Sequence, residues 1–159
     1  EIQNVVGYEP GNRVRFNGGG QASTWLRNGW SGAEASGTWS SSDTATLHIP
    51  LAHSGSAAAI THAHFWLAPF LAEGQLKAQS ATLSLNGTPL QQWQVQRPGC
   101  YSAPLPEALV QGNNALVFSW SLPDAAAPKD FGLSDDFRTL AILLQAMQLG
   151  SGETCPKGP

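Results

Sequence analysis

The sequence predicts an all-β fold, an antiparallel β-sandwich or jelly roll, and three observations carry that expectation. Only 12% of the 159 residues are charged, while 17 glycines and 11 prolines accompany many Ser, Thr, Asn and Gln residues. That composition suits short strands joined by turns rather than surface helices rich in Lys and Glu. Short apolar runs recur at a spacing of roughly 8–12 residues, with turn signals between them. Finally, Asn86-Gly87 lies between two such runs, and this dipeptide supplies the two positive φ angles of a type I′ hairpin turn. The length suits one core, so residues 1–159 are read as a single domain without internal repeats.

Residues 1–22 read as an N-terminal edge segment, with the apolar pair Val5-Val6, a short alternating run at 13–16 and a flexible Gly18-Gly19-Gly20 triplet. Residues 23–27 and 37–40 flank a turn-rich loop, 28–36, in which no strand or helix period is found. From Asp43 the alternation is clear, with Ala45, Leu47 and Ile49 on one face and Thr44, Thr46 and His48 on the other. The run 57–70 is apolar on both faces, as expected of a strand covered on both sides, and Pro69 stops it. Residues 81–85 and 88–95 form the hairpin around Asn86-Gly87. A short strand at 100–103, one helical turn within 104–110 and an alternating strand at 115–122 follow. The last apolar run, 140–149, is read as a strand, although its Leu, Ala, Gln and Met content also suits a helix.

Cys100 and Cys155 lack the close spacing of zinc sites and redox CxxC motifs. They read as a disulfide pinning the C-terminal tail, 150–159, to the body and stabilising by roughly 2–4 kcal/mol; two free thiols are the alternative. Few lysines and a bridge favour an oxidising, extracytoplasmic compartment, periplasmic or extracellular. The sequence carries no signal peptide or membrane-spanning run and reads as a processed or excised domain. A formal charge of −3, with basic residues scattered singly, argues against nucleic acid and anionic lipid as partners.

Six Trp residues are many for this length. Trp66 and Trp120 lie in the most apolar strands and read as core. Trp25, Trp30, Trp39 and Trp93 have Gly, Ser, Asn and Gln neighbours, where burial alone is a weaker explanation. A sugar offers flat C–H faces ringed by hydroxyls, so its binder needs an aromatic platform beside amides, carboxylates and guanidinium groups. Asn28, Ser31 and Glu34 supply such groups between the rings, the alternative being that Trp30 and Trp39 plug their own loop. A second polar cluster at 129–138 holds Asp135, Asp136 and Arg138. It can bind hydroxyls, hold Ca²⁺ or form an internal ion pair, and Glu34 with Arg138 is the acid–base pair expected if the two loops meet. As a Ca²⁺ site it is incomplete, so no cofactor is expected beyond that one structural possibility.

Other chemistries are weaker. His62 and His64 share a face, with His48 expected on a neighbouring strand, but no third metal ligand is recognisable. Gly29-Trp30-Ser31-Gly32-Ala33 only half resembles a nucleophile elbow and lacks its strand-to-helix setting. Glu34 with Asp135 or Asp136 is the one conceivable glycosidase pair. Asn86-Gly87-Thr88 fits a glycosylation sequon, for which the hairpin is sufficient explanation.

The run from Asn28 to Ser40, followed by Ala45-Thr46-Leu47, resembles the GWS-x-x-E-x-x-G-x-W-S signature of an uncharacterised bacterial domain family. That family is found C-terminal to membrane-embedded glycosyltransferases and phosphoglycerol transferases and in other cell-envelope polysaccharide proteins. The run from Phe131 to Leu140 is similar to its second signature, LG-x-S-x-D-x-R-x-L-(G/A), and with Leu85-Asn86-Gly87 the resemblance spans 25–149. It implies a β-sandwich similar to carbohydrate-binding modules, outside the cytoplasm. Residue by residue it points to Trp30, Ser31, Glu34 and Trp39 in one loop and Ser134, Asp136 and Arg138 in the other. Ala33 stands where the family often has Pro and Phe131 where it often has Leu, departures that touch loop rigidity more than chemistry. The expected function is noncatalytic recognition of a glycan or glycolipid within a larger, membrane-bound parent. A structural or protein-docking module and a small glycan-active enzyme are the alternatives.

Overall fold

In the computed structural model, which describes residues 7–19, 21–53 and 55–157, two antiparallel sheets pack face to face. The strands are β1 Arg13–Arg15, β2 Thr38–Trp39, β3 Thr44–Pro50, β4 His62–Pro69, β5 Gln79–Leu85, β6 Thr88–Val95, β7 Gly99–Pro104, β8 Ala115–Ser121 and β9 Ile142–Gly150. One sheet has the order β1-β9-β4-β7, with β2 also paired to β9, and the other the order β3-β8-β5-β6. The fold is therefore the all-β sandwich that the alternation predicts. The expected apolar pair Val5-Val6 lies outside the described residues.

The core fills the space between the sheets. Ala45, Leu47 and Ile49 of β3, Leu116, Phe118 and Trp120 of β8, and Ala63, Phe65 and Leu67 of β4 all point into it. Phe65 is its hub, edge-on to Phe118 at 5.4 Å and to Trp120 at 4.9 Å between ring centroids. Each such pair adds about 0.5–1.5 kcal/mol to plain burial. At the hairpin, Asn86 (φ 49°) and Gly87 (φ 89°) take the two left-handed positions. The Asn86 amide donates to the Leu109 carbonyl, which engages the nitrogen that a glycan at this sequon would occupy.

The boundaries differ from expectation where a local device overrides the pattern. Residues 23–27 fall mostly in a short 3₁₀ segment, Gln21–Trp25, and Trp25 is buried against the Tyr8 ring rather than standing out from its loop. The run from residue 57 begins as a second 3₁₀ segment, Ser56–Ala59, and becomes a strand only at His62. His48 lies in the opposite sheet from His62 and His64, so the three do not share a face. The final run is strand β9, lying between β1 and β4. Burial on both faces explains why its alternation was too weak to exclude a helix. Trp66 is buried, but on the outer face of its sheet, with the Arg13 guanidinium 4.2 Å from its ring centroid. It belongs to the covering of that face and not to the inter-sheet core.

Cys100 and Cys155 form the expected disulfide across 55 residues of sequence, which joins β7 to the tail beyond β9. A bridge of this kind is at home in an oxidising compartment. No helix among the described residues is long and apolar enough to cross a membrane.

Candidate functional site

The turn-rich loop before β3 is a small hairpin of its own. Arg27 N–H donates to the Thr46 carbonyl and Thr46 N–H to the Asn28 carbonyl, which lays residues 26–28 along β3. Gly29 (φ 90°) then turns the chain so close to β3 that a Cβ there would run into the Thr44 carbonyl. Trp30 bridges to Ser40, Ser31 N–H donates to the Trp39 carbonyl at 2.9 Å, and Glu34 closes the tip against Gly37. Gly37 (φ 144°) leaves no room for a side chain beside the Leu144 carbonyl. These two glycines fix where Ser31 and Glu34 project. The absence of a strand period here reflects single isolated bridges rather than an unstructured loop.

The second loop follows a 3₁₀ turn, Pro128–Phe131, that ends at the left-handed Gly132. Lys129 N–H donates to the Asp136 carbonyl, and Ser134 Oγ accepts from Asp136 N–H. Asp136 Oδ1 accepts from the Arg138 backbone N–H at 3.0 Å, folding the loop around its own carboxylate. The loops are stitched together by buried Ser40, whose Oγ accepts from the N–H groups of Ala141 and Ile142.

Arg138 joins the two loops. Its Nε and Nη2 grip the Asp136 carboxylate, at 3.0 and 2.7 Å, while Nη1 donates to Ser31 Oγ at 2.9 Å and to Glu34 Oε2 at 3.3 Å. Four of its five N–H groups are thus engaged within the protein. Hydrogen bonds donated by Arg138, from its side chain first and its backbone N–H second, hold the Asp136 carboxyl down at about 2, and Asp136 in turn raises the guanidinium. Glu34 meets Arg138 as expected, but Asp136 is the closer and better-aligned partner.

The other candidates divide. Trp30 is half-buried, edge-on to Trp120 at 5.9 Å, with its indole N–H donated to the Thr46 carbonyl at 2.8 Å. It plugs its hairpin onto the core. Trp39 is half-buried and, like its register partner Leu143, stands outside the inter-sheet core. Asn28 is exposed, with its carbonyl held by β3. Trp93 lies against Tyr101, 5.7 Å between ring centroids. His62 and His64 stack at 6.5 Å.

The residue missed in the sequence is Phe137. It is 78% exposed, the one large apolar side chain so placed among the described residues, and it sits between Asp136 and Arg138. Its signal was an aromatic residue in a charged loop outside any alternating run, where nothing requires burial. Neither the protein-family models nor the curated proteins compared with this chain give a match.

Proposed function

We propose that this domain is a noncatalytic carbohydrate-binding module of a cell-envelope polysaccharide or glycolipid system, acting in the periplasm or outside the cell as part of a membrane-tethered parent. The observation that carries this reading is an exposed Phe137 in the loop whose Asp136 is clamped by Arg138, with Glu34 of the other loop bonded to the same guanidinium. A ring face offers a platform for sugar C–H groups, and carboxylate oxygens accept from hydroxyls. Because the guanidinium bonds inward, its part is to set the positions of Ser31, Glu34 and Asp136 rather than to grasp the ligand. Asp136, held near 2, is ionised at neutral pH, the opposite of the raised carboxyl that a general acid needs. That rules out Asp136 as the general acid of a glycosidase pair and suits it to accept hydrogen bonds from hydroxyls.

Calorimetric titration or a glycan array with neutral and charged envelope oligosaccharides tests the proposal. The expected result is binding that Phe137→Ala and Glu34→Gln weaken by about tenfold or more while thermal stability is unchanged. Absence of binding across a broad panel sinks it. The second reading, a docking module, is favoured by the same exposed Phe137. It predicts that Phe137→Ala disrupts association with neighbouring domains of the parent and leaves glycan titrations flat.

A further inference from the structure

A second polar cluster lies on the outer face of the five-stranded sheet. His64 of β4 and Ser102 of β7 are register partners, and Cys100 is paired with Trp66 two residues along, on the same face. The tail beyond β9 returns over this face and is held there at three points. His64 Nε2 meets the Gly152 carbonyl at 2.8 Å, Cys155 closes the bridge, and Arg13 Nη2 donates to the Lys157 carbonyl at 2.7 Å.

The Gly152 carbonyl can only accept, so His64 Nε2 carries the ring proton and Nδ1 presents a lone pair. That lone pair meets Ser102 Oγ at 2.6 Å, and the same oxygen lies 2.9 Å from Cys155 Sγ and 3.8 Å from Cys100 Sγ. One small hydroxyl therefore stands where an imidazole nitrogen and two sulfurs converge, and these ligand-type atoms all lie within 4.8 Å of one another. Tetrahedral zinc, with bonds of about 2.0–2.1 Å to nitrogen and 2.3 Å to sulfur, sets ligand atoms roughly 3.5–3.8 Å apart. The set needs only the sulfurs to part and the hydroxyl to turn aside. Two further features suit a metal ligand set. The His64 N–H to a backbone carbonyl is the outer bond that usually orients a ligating imidazole. Cys155 is exposed, which leaves a path for entry.

We propose that reduction of the Cys100–Cys155 bridge converts this cluster into a binding site for a thiophilic divalent cation such as Zn²⁺. His64 Nδ1 and the two thiolates are its ligands, and water takes the fourth position. Two external thiols supply two electrons and two protons; the S–S bond breaks to two cysteine thiols, and the reductant leaves as its own disulfide. The cation then displaces the two thiol protons. The ion takes over the bridge's task, so that the tail stays on the sheet in either redox state. His62 stays outside the set, its Nδ1 bonded to Thr61 Oγ1.

The test uses Co²⁺ as a spectroscopic probe on the whole chain, reduced with a phosphine and kept free of oxygen. One equivalent is expected to produce thiolate-to-cobalt charge transfer and the intense ligand-field bands of a tetrahedral site, both abolished by Zn²⁺ competition and absent from the oxidised chain. His64→Asn is expected to weaken binding by about tenfold or more, and Ser102→Ala to leave it in place. Unchanged affinity in His64→Asn, equal binding by the oxidised chain, or no charge transfer in the reduced chain overturns the proposal. If reduction alone abolishes the near-UV circular dichroism of the fold, Zn²⁺ is expected to restore it, and failure to do so overturns the proposal equally.

Discussion

Two places in this molecule tie together segments far apart in sequence, and they do so by opposite means. At the rim, Arg138 reaches Glu34 across 104 residues through charges that remain 35% and 46% exposed. At the tail, Cys155 reaches Cys100 across 55 residues through a covalent bond. An exposed ion pair is screened by salt and yields to competing water, whereas the bridge ignores both. The rim is therefore the adaptable junction and the tail the fixed one.

Opening the bridge is expected to have the largest effect on the fold. Closing a loop of this length restricts the unfolded chain by roughly 4 kcal/mol. Metal-free reduction or Cys155→Ser should then lower Tm by on the order of 10 °C, read by thermal melting. An unchanged Tm would mean that the tail contributes nothing to the sandwich. Next comes the contrast between two rim aromatics. Trp30→Ala removes the ring from Trp120 and the donor from the Thr46 carbonyl, so a loss of about 2–3 kcal/mol is expected in chemical denaturation. Phe137→Ala touches an exposed ring and is expected to cost less than about 0.5 kcal/mol. Equal losses would erase the distinction between plug and platform.

The same contrast explains what was legible in the sequence. Period-two alternation reports burial on one face, so β3, β8 and the Asn86-Gly87 hairpin could be read directly. It fails where both faces are covered, as in β9, and where pairing is limited to isolated bridges, as between Trp30 and Ser40. The meeting of Glu34 with Arg138 was legible because few charges were available to pair. That Asp136 holds the guanidinium more tightly depends on a turn in which residue 136 also accepts from the backbone of residue 138, a geometry that composition does not record. The Trp residues misled through their neighbours: Ser23 and Thr24 precede Trp25 in sequence, but its ring turns inward onto Tyr8. The convergence of His64 and Ser102 on the bridge arises from register across β4 and β7, which no single segment reveals.

Arg138→Gln sharpens the comparison from the side of the rim. It leaves the core untouched and removes the ion pairs from both loops, so the fall in Tm should be smaller than in Trp30→Ala and should shrink further at high salt. Glycan affinity, by contrast, should drop by about tenfold or more in calorimetric titration, because Glu34 and Asp136 lose the group that positions them. Full binding by Arg138→Gln would separate the clamp from the site.

The smallest expected effect is that of pH. The Asp136 carboxyl is depressed from 3.8 to about 2 in the folded chain, so the unfolded chain binds its proton first as pH falls. Its contribution to stability is fully present above 3.8 and is lost as pH drops through about 2. Between neutral pH and 4 the Asp136–Arg138 clamp should therefore stay closed. A carbon-detected NMR titration of the Asp136 carboxyl should show a midpoint near 2 that moves back toward 3.8 in Arg138→Gln. A wild-type midpoint at 3.8 would mean that the guanidinium does not hold this carboxylate in solution, and the rim would then be two separate loops rather than one site.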